Sequence, residues 1–262
     1  MRDPAPEQCG AMRRIPGRRR TRFYEKRHVV EGVSVVPPLV TAVCAAAANL
    51  GNAATHLIGW ALLAGAGWLS ASSVVKVLHA GAQERERRRA EDYEGLLGAL
   101  CVLHAVIRRA LDLPEQPDGL LRVTIHRVVP HPVPGRAPEE LEQVVPYVGG
   151  GGGGAGRRFS VRSGVIGKAV RERKIFAFSR EYVRYELYLA ELIQLYSYTE
   201  ADARALTPDR QAWMAVPLLS GDEEALAVVY LDSCQCEFFN PQVQQIVLGT
   251  CAGIAAFTEE VY

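Results

Sequence analysis

The chain has 262 residues, of which 48% are hydrophobic and 23% charged, and a formal net charge of +1 at pH 7. This length allows one ordinary domain plus additional segments, and this composition allows most of the chain to fold. A net charge close to zero argues against a nucleic-acid-binding protein. The six cysteines are scattered. They form no disulfide framework of a secreted domain, which favours a reducing, cytoplasmic setting for the soluble part.

Residues 1–32 form a basic arm, in which arginine and lysine greatly outnumber the acidic residues. Blocks of like charge are typically disordered, and they can also contact anionic lipid. We therefore predict a disordered N-terminal arm that lies on the cytoplasmic side of a membrane.

Residues 33–79 are predicted to form a two-helix transmembrane hairpin. No aspartate, glutamate, lysine or arginine occurs between Val33 and Val75, and a helix needs about 20 apolar residues to cross the bilayer core. The polar residues 51–56 would form the turn. Basic residues flank both ends of the hairpin, so the positive-inside rule places both termini in the cytoplasm of a cell-membrane protein with two crossings. The alternative is a buried helical hairpin in a soluble protein.

Residues 80–115 are predicted to form a connecting helix. Its first third alternates acidic and basic residues, which is typical of a solvated helix face. Apolar residues then recur at helical spacing from Leu96 to Leu111. This helix is expected to pack on the following domain, to pair with a second chain, or both.

Residues 116–262 contain the elements of one α+β domain. The segments LLRVTIHRVV and LEQVVPYVG are predicted strands, and a flexible glycine-rich loop begins at Gly149. A helix follows from about Gly164 to Arg173, with Ser163 as its cap. Its interior Gly167 indicates close packing on a strand. A short strand at residues 174–178 and a tyrosine-rich helix at residues 182–198 come next.

The last elements are a hairpin and a helix. WMAVPLL and ALAVVYLDS are predicted strands around a turn at residues 220–223, and Asn240 and Pro241 open the closing helix. Because both strands are mostly apolar, we predict a central antiparallel pair that is covered on both faces. The first and last helices would then lie on one side of the sheet and the middle helices on the other.

Three segments resemble GAF domains. SGVIGKAVRERKIFAFS resembles the glycine-containing helix and following strand of this family, AWMAVPLLSGDEEALAVVYLDS resembles its hairpin, and FFNPQVQQIVLGTCAGIAAFTEEV resembles its closing helix. The resemblance extends from about Tyr93 to Tyr262. It implies an antiparallel sheet of about six strands flanked by helices, with a small-molecule pocket under lid segments. Family members bind cyclic nucleotides, haem, tetrapyrroles or small metabolites, but the cyclic-nucleotide signature is missing, so ligand and cofactor stay unknown.

The implied pocket would have its lid at residues 180–198 and its floor on the strands. Aromatic walls with a few polar groups are typical of small-molecule pockets, and arginines could meet an anionic group. The alternative is a tyrosine-rich helix that docks on the sheet with its hydroxyls in water. The predicted ligand-binding residues are Phe176, Phe178, Arg180, Arg184, Tyr185, Tyr188, Tyr196, Trp213 and Val216.

No catalytic motif occurs in the sequence. We therefore expect a bacterial, non-enzymatic sensor that is anchored in the membrane lipid, binds a small molecule, and signals through a homo-oligomer or a partner protein. One alternative is a two-helix membrane effector that ligand binding triggers. The other is a GAF-type methionine sulfoxide reductase that uses Cys234 and Cys236. Two cysteines without a nearby histidine do not complete a zinc site, so no metal is expected.

Overall fold

The computed structural model describes residue 31 and residues 55–113, 119–150, 153–180, 184–206 and 209–261. The described residues fall into two compact units, one up to Glu91 and the other from Asp92 onwards. The first arm of the predicted hairpin, and nearly all of the basic arm, lie outside the described residues.

The second arm of the predicted hairpin is helical. It belongs to helix α1, Thr55–Ala110, which contributes residues to both units. Exposed ion pairs join Arg87 to Glu91 and Arg88 to Glu84, in keeping with the predicted solvated face. Among the residues that can be described, no helix is both long enough and apolar enough to span a membrane.

The second unit contains a six-stranded antiparallel sheet with the strand order β3-β2-β1-β6-β5-β4. The predicted sheet of about six strands is therefore confirmed. The predicted hairpin is present as β5 and β6, which both lie in the interior of the sheet, and the centre of the sheet is the β1–β6 pair. The strands are β1 Leu121–Val129, β2 Glu140–Gln143, β3 Arg158–Ser160, β4 Phe176–Ser179, β5 Ala212–Leu219 and β6 Ala225–Ser233.

Two strands differ from the prediction. The segment LEQVVPYVG forms only the short β2, after which Val148 makes an isolated bridge to Val123. Pro146 has no amide hydrogen and cannot extend the regular ladder. Strand β3 was not predicted, because it has only three residues and pairs with β2 alone at the edge of the sheet. So short a strand shows no usable alternation of apolar and polar residues.

Helices cover both faces of the sheet, in the predicted arrangement. Residues of α1 and of the closing helix pack with Val123, Met214 and Val229 on one face. Residues of the two middle helices pack with Trp213 and Val228 on the other face. The helices after α1 are α2 Gly164–Glu172, α3 Tyr185–Tyr196, α4 Glu200–Ala205 and α5 Pro241–Val261. Helix α4 was not predicted.

The predicted helix caps have different outcomes. The side-chain oxygen of Asn240 accepts a hydrogen bond from the amide of Val243 at 3.0 Å, so the predicted cap of α5 is confirmed. Ser163 occupies the N-cap of α2 in an extended conformation, but its side chain makes no capping hydrogen bond. The start of α2 is instead held by packing, since Val165 and Ala169 are buried.

Close packing at Gly167 is confirmed. A Cβ atom added there would overlap the carbonyl oxygen of Val161 and would lie 3.1 Å from that of Ser160. These are backbone atoms between β3 and α2, which cannot move aside as a flexible side chain would. Glycine is therefore required at this position for steric reasons.

We predict that Gly167→Ala destabilises the protein although alanine is the better helix former. Alanine gains up to about 1 kcal/mol of helix propensity, but overpacking against fixed backbone costs about 1–3 kcal/mol. Gly253→Ala is the matched control, because Gly253 lies in α5 with nothing within 4 Å of an added Cβ. In urea unfolding, the free energy of unfolding should fall for Gly167→Ala and should rise or stay unchanged for Gly253→Ala. A gain in both variants would contradict the packing argument.

Candidate functional site

One face of the sheet carries a row of candidate site residues and is here called the functional face. Strand register pairs Arg122 with Asp232, Asp232 with Trp213, and Trp213 with Phe178. Because side chains directly opposite one another in a sheet lie on the same face, this row crosses β1, β6, β5 and β4 on one face. It joins a polar half, near β1, to an aromatic half, near β4.

The aromatic half is a stack of four rings, Tyr196, Phe178, Trp213 and Tyr188, in that order. Successive ring centroids are 4.7, 5.0 and 5.6 Å apart, and the interplanar angles are 19°, 20° and 14°. A cation lies over each end of this aromatic stack. The Lys168 ammonium is 5.3 Å from the Tyr196 centroid, and the Arg180 guanidinium is 4.6 Å from the Tyr188 centroid.

The aromatic stack packs α3 against the sheet. Tyr188 and Tyr196 belong to α3, whereas Phe178 and Trp213 belong to β4 and β5. Each such pair contributes about 0.5–1.5 kcal/mol beyond the burial of its surface. Burial raises the pKa of Tyr196 to about 12, and it also raises the pKa of Tyr188. Both phenols are therefore protonated and uncharged at neutral pH.

The structure brings most of the predicted ligand-binding residues together. Besides the ring residues and Arg180, the Tyr185 ring lies 6.4 Å from that of Tyr188. The Phe176 ring lies 5.0 Å from the Lys168 ammonium. Arg184 is exposed at the N-cap of α3.

Val216 does not join this group. It packs in the apolar core on the opposite face, together with Met214 and Leu218. Successive side chains of a strand point to opposite faces, so a residue three positions after Trp213 faces away from it. This placement could have been predicted from the strand alone.

The polar half, here called the polar site, consists of Arg122, Thr124, His126, Gln143, Tyr147, Tyr198, Arg210, Tyr230 and Asp232. An ion pair lies at one end. Arg122 donates two hydrogen bonds to the Asp232 carboxylate, at 2.8 and 2.7 Å. A second guanidinium, that of Arg210, lies 3.4 Å from the same carboxylate and donates to the Gly119 carbonyl. Asp232 is only 1% exposed, so it can be tolerated as a charge only because these cations offset it.

Three tyrosines line the polar site. Burial raises the pKa of Tyr147 and of Tyr198 to about 12, and that of Tyr230 well above its ordinary value. All three side chains are nevertheless partly exposed. The Arg122 guanidinium lies 4.6 Å from the centre of the Tyr147 ring. Their hydroxyls are thus protonated at neutral pH, and each can both donate and accept a hydrogen bond.

Two buried side chains of the polar site have polar atoms without partners. Gln143 Nε2 donates to Thr124 Oγ1 at 3.2 Å and to the Val145 carbonyl at 3.0 Å. Within the part of the chain described, Gln143 Oε1 and both ring nitrogens of His126 have no hydrogen-bond partner. The His126 ring instead lies edge-on to Phe159 and Tyr230, with centroids 5.2 and 6.0 Å away. Unpartnered buried polar groups are rare in proteins and cost free energy.

Two cavities lie at opposite edges of the sheet. One, of about 390 Å³, is lined by Arg158, Phe159 and neighbouring residues beside β3. The other, of about 400 Å³, is lined by Phe178, Ser179 and residues from Glu237 to Pro241 beside β4. Each cavity reaches one residue that contacts the functional face: Phe159 packs on His126, and Phe178 belongs to the aromatic stack.

The described cysteines are free thiols. Cys236 Sγ lies 3.6 Å from the Arg180 carbonyl oxygen, and burial raises the pKa of Cys251 to about 12. Across the described ranges, no group of three or more histidine, cysteine, aspartate or glutamate side chains is placed to hold a metal ion.

No protein-family model and no curated protein matches the chain. Solved structures do match. The type II free methionine-R-sulfoxide reductase from Thermoplasma acidophilum is 14% identical, with 63% of this chain and 95% of that chain covered and a TM-score of 0.40. The GAF domain of a two-component sensor histidine kinase from Bacillus halodurans is also 14% identical, with 61% and 92% covered and a TM-score of 0.40. The GAF domain of the Acinetobacter phosphoenolpyruvate-protein phosphotransferase is 10% identical, with 59% and 75% covered and a TM-score of 0.39.

Identities and TM-scores this low carry no functional argument. A six-stranded antiparallel sheet flanked by helices fits a GAF-like α+β fold. The α+β sheet that the sequence resemblance implies is therefore confirmed.

We predict that His126 makes the domain acid-sensitive. Burial lowers the pKa of His126 from 6.5 to about 3, so the unfolded chain takes up the proton first. The stability that neutral His126 contributes is complete above pH 6.5 and falls as the pH drops from 6.5 towards 3, by about 1.4 kcal/mol per pH unit. In urea unfolding, the free energy of unfolding should fall less between pH 7 and pH 5 in His126→Leu than in the wild type. Equal losses in both proteins would contradict this prediction.

Proposed function

We propose that this chain is a membrane-anchored cytoplasmic sensor, whose GAF-like domain binds a small molecule at the polar site and has no catalytic output of its own. One observation carries the proposal. His126 and Gln143 are buried, and among the described residues some of their polar atoms find no hydrogen-bond partner, on a face that three tyrosines line. A ligand that reached these atoms would satisfy them and would offset their cost.

The chemistry of the site indicates the kind of ligand. Asp232 lies between two arginines, and Arg210 also pairs with Asp209 at 3.2 Å, so the charges largely offset one another. The remaining groups are hydroxyls, an amide oxygen and a neutral imidazole, which favour a ligand with several hydrogen-bond donors and acceptors. The aromatic stack forms the neighbouring wall. Arg180, Arg184 and Tyr185, near the outer end of that wall, would meet an anionic or polar part of the ligand.

The membrane anchor is residues 33–79, with both termini in the cytoplasm. Its support is the uncharged run from Val33 to Val75 with basic flanks, together with large apolar side chains that are exposed on α1 at Leu63, Leu69 and Val77. Contiguous exposed apolar surface marks contact with lipid or another protein. The sensor output would then pass to a second copy of the chain or to a signalling partner.

We predict that the full-length protein co-purifies with a small molecule that native mass spectrometry can detect. Replacing Tyr147, Tyr198 and Tyr230 together by phenylalanine keeps the shape of the site and removes three hydroxyls. Each lost hydrogen bond costs about 0.5–1.5 kcal/mol, so the dissociation constant should rise at least about tenfold and the occupied fraction should fall with it. Tyr93→Phe, in the apolar core of the opposite face, is the control and should keep its ligand. Equal occupancy in the wild type, the triple variant and the control would contradict the proposed site.

We also predict that the full-length protein binds lipid vesicles through residues 33–79. Leu63→Glu with Leu69→Glu should release it in a flotation assay, because a charge at the bilayer centre costs about 2.5–3.5 kcal/mol on insertion scales. Val102→Glu is the control, since Val102 is also exposed on α1 but belongs to the other unit. Vesicles that stay intact agree with a sensor. Leakage on binding would favour the membrane effector, and a wild-type protein that does not float would exclude the anchor.

A further inference from the structure

The chain between β2 and the glycine-rich loop runs alongside β1. Val144 donates to the Ile125 carbonyl at 2.9 Å, and Val148 and Val123 exchange backbone hydrogen bonds of 2.8 and 2.9 Å. The Gly149 carbonyl then accepts a hydrogen bond from the Gly119 amide at 2.7 Å. Residues 144–149 are thus hydrogen-bonded to β1 at Val144 and Val148, and at Gly149 to Gly119 just before β1. They are here called the strap.

The two ends of the strap touch different parts of the domain. At Tyr147 the side chain lies in the polar site, beneath the Arg122 guanidinium. At Gly149 the backbone is wedged between α1 and β1, because an added Cβ would overlap both His104 Nε2 and the Leu121 carbonyl oxygen. These two groups lie 3.2 Å from each other. No space is left at this point for Gly149 to move towards α1.

We propose that the strap transmits occupancy of the polar site to helix α1, through Tyr147, Gly149 and His104. This inference rests on the proposed function, because it assigns a regulatory output to the same site. A ligand that displaces Tyr147 displaces Gly149, which is only two residues away on a hydrogen-bonded backbone. Gly149 can then move only by shifting His104 or by breaking its bond to Gly119. Coupling of this kind is reciprocal, so a shift of α1 alters the affinity of the site.

In the described part of the chain, the other two tyrosines of the polar site are not followed by a residue wedged between α1 and β1. Tyr230 belongs to β6 in the interior of the sheet. Tyr198 follows α3, and its hydroxyl faces Gly164 at the start of α2, where an added Cβ would lie 2.6 Å from it. Tyr198 therefore packs against the helices of the functional face and provides a matched comparison for Tyr147.

Hydrogen exchange on the ligand-free full-length protein tests the coupling. Tyr147→Ala should raise the exchange rates of the α1 amides at residues 100–110 by about tenfold, because loosening one end of the strap lowers the free energy of local opening at the other. Tyr198→Ala should leave these rates unchanged. Helix α5 shares the apolar core of α1 and should keep its protection in both variants. Equal changes in the two variants, or a parallel loss in α5, would overturn the inference.

A second set of variants applies if Tyr147→Ala does not fold. Gly149 and Gly156 both have positive φ, +87° and +83°, but nothing lies within 4 Å of a Cβ at Gly156. The backbone strain of an alanine is thus similar at both positions, and only Gly149→Ala presses on His104. Exchange at residues 100–110 should rise in Gly149→Ala and stay unchanged in Gly156→Ala. Equal exchange in these two variants would overturn the inference.

The two proposals fail in different ways. A protein that purifies without any small molecule, but shows the exchange pattern, loses the sensor function and keeps the coupling. A protein that holds a ligand, but shows no difference between Tyr147→Ala and Tyr198→Ala, keeps the sensor function and loses the coupling.

Discussion

The register of β1 on β6 determines what each face of the domain contains. Leu121 pairs with Ser233 and Arg127 with Ala227, so Arg122 lies directly opposite Asp232. A slip of one residue would turn every side chain of β1 to the other face. It would bury Arg122 and His126 among the apolar residues that pack on α1 and α5. The buried ion pair therefore contributes mainly to specifying this register. Buried ion pairs often add little stability, because desolvation of the two charges offsets their attraction.

The two faces of the sheet consequently differ in polarity. The face under α1 and α5 is a continuous apolar core that includes Leu100, Met214 and Val247. The opposite face combines an aromatic stack with charges and with polar atoms that have no hydrogen-bond partner among the residues described. Apolar packing tolerates few rearrangements without a loss of free energy, whereas a partly satisfied polar cluster gains when it acquires partners. A ligand response is therefore expected on the second face, and the first face provides a rigid base for it.

Sequence patterns predicted the elements of this domain better than their contacts. The alternation in LLRVTIHRVV and the hairpin around residues 220–223 are local signals, so β1, β5 and β6 could be predicted. The polar site could not, because Arg122 and Asp232 are joined only by the strand order, which brings the first strand beside the last. One local signal was available. A carboxylate at Asp232, inside the otherwise apolar ALAVVYLDS, requires a cationic partner, and Arg122 has the matching position on β1.

The energetic cost of the polar site bears on how such a sensor would work. Each unpartnered buried group costs about 1–3 kcal/mol, and domains of this size have a net stability of only about 5–15 kcal/mol. The ring nitrogens of His126 and the oxygen of Gln143 thus take up an appreciable part of the stability of the ligand-free fold. A ligand at a hundred times its dissociation constant stabilises the folded state by about 2.7 kcal/mol, which offsets the cost of about one such group. Binding would then stabilise the functional face without any need for a large movement of the sheet.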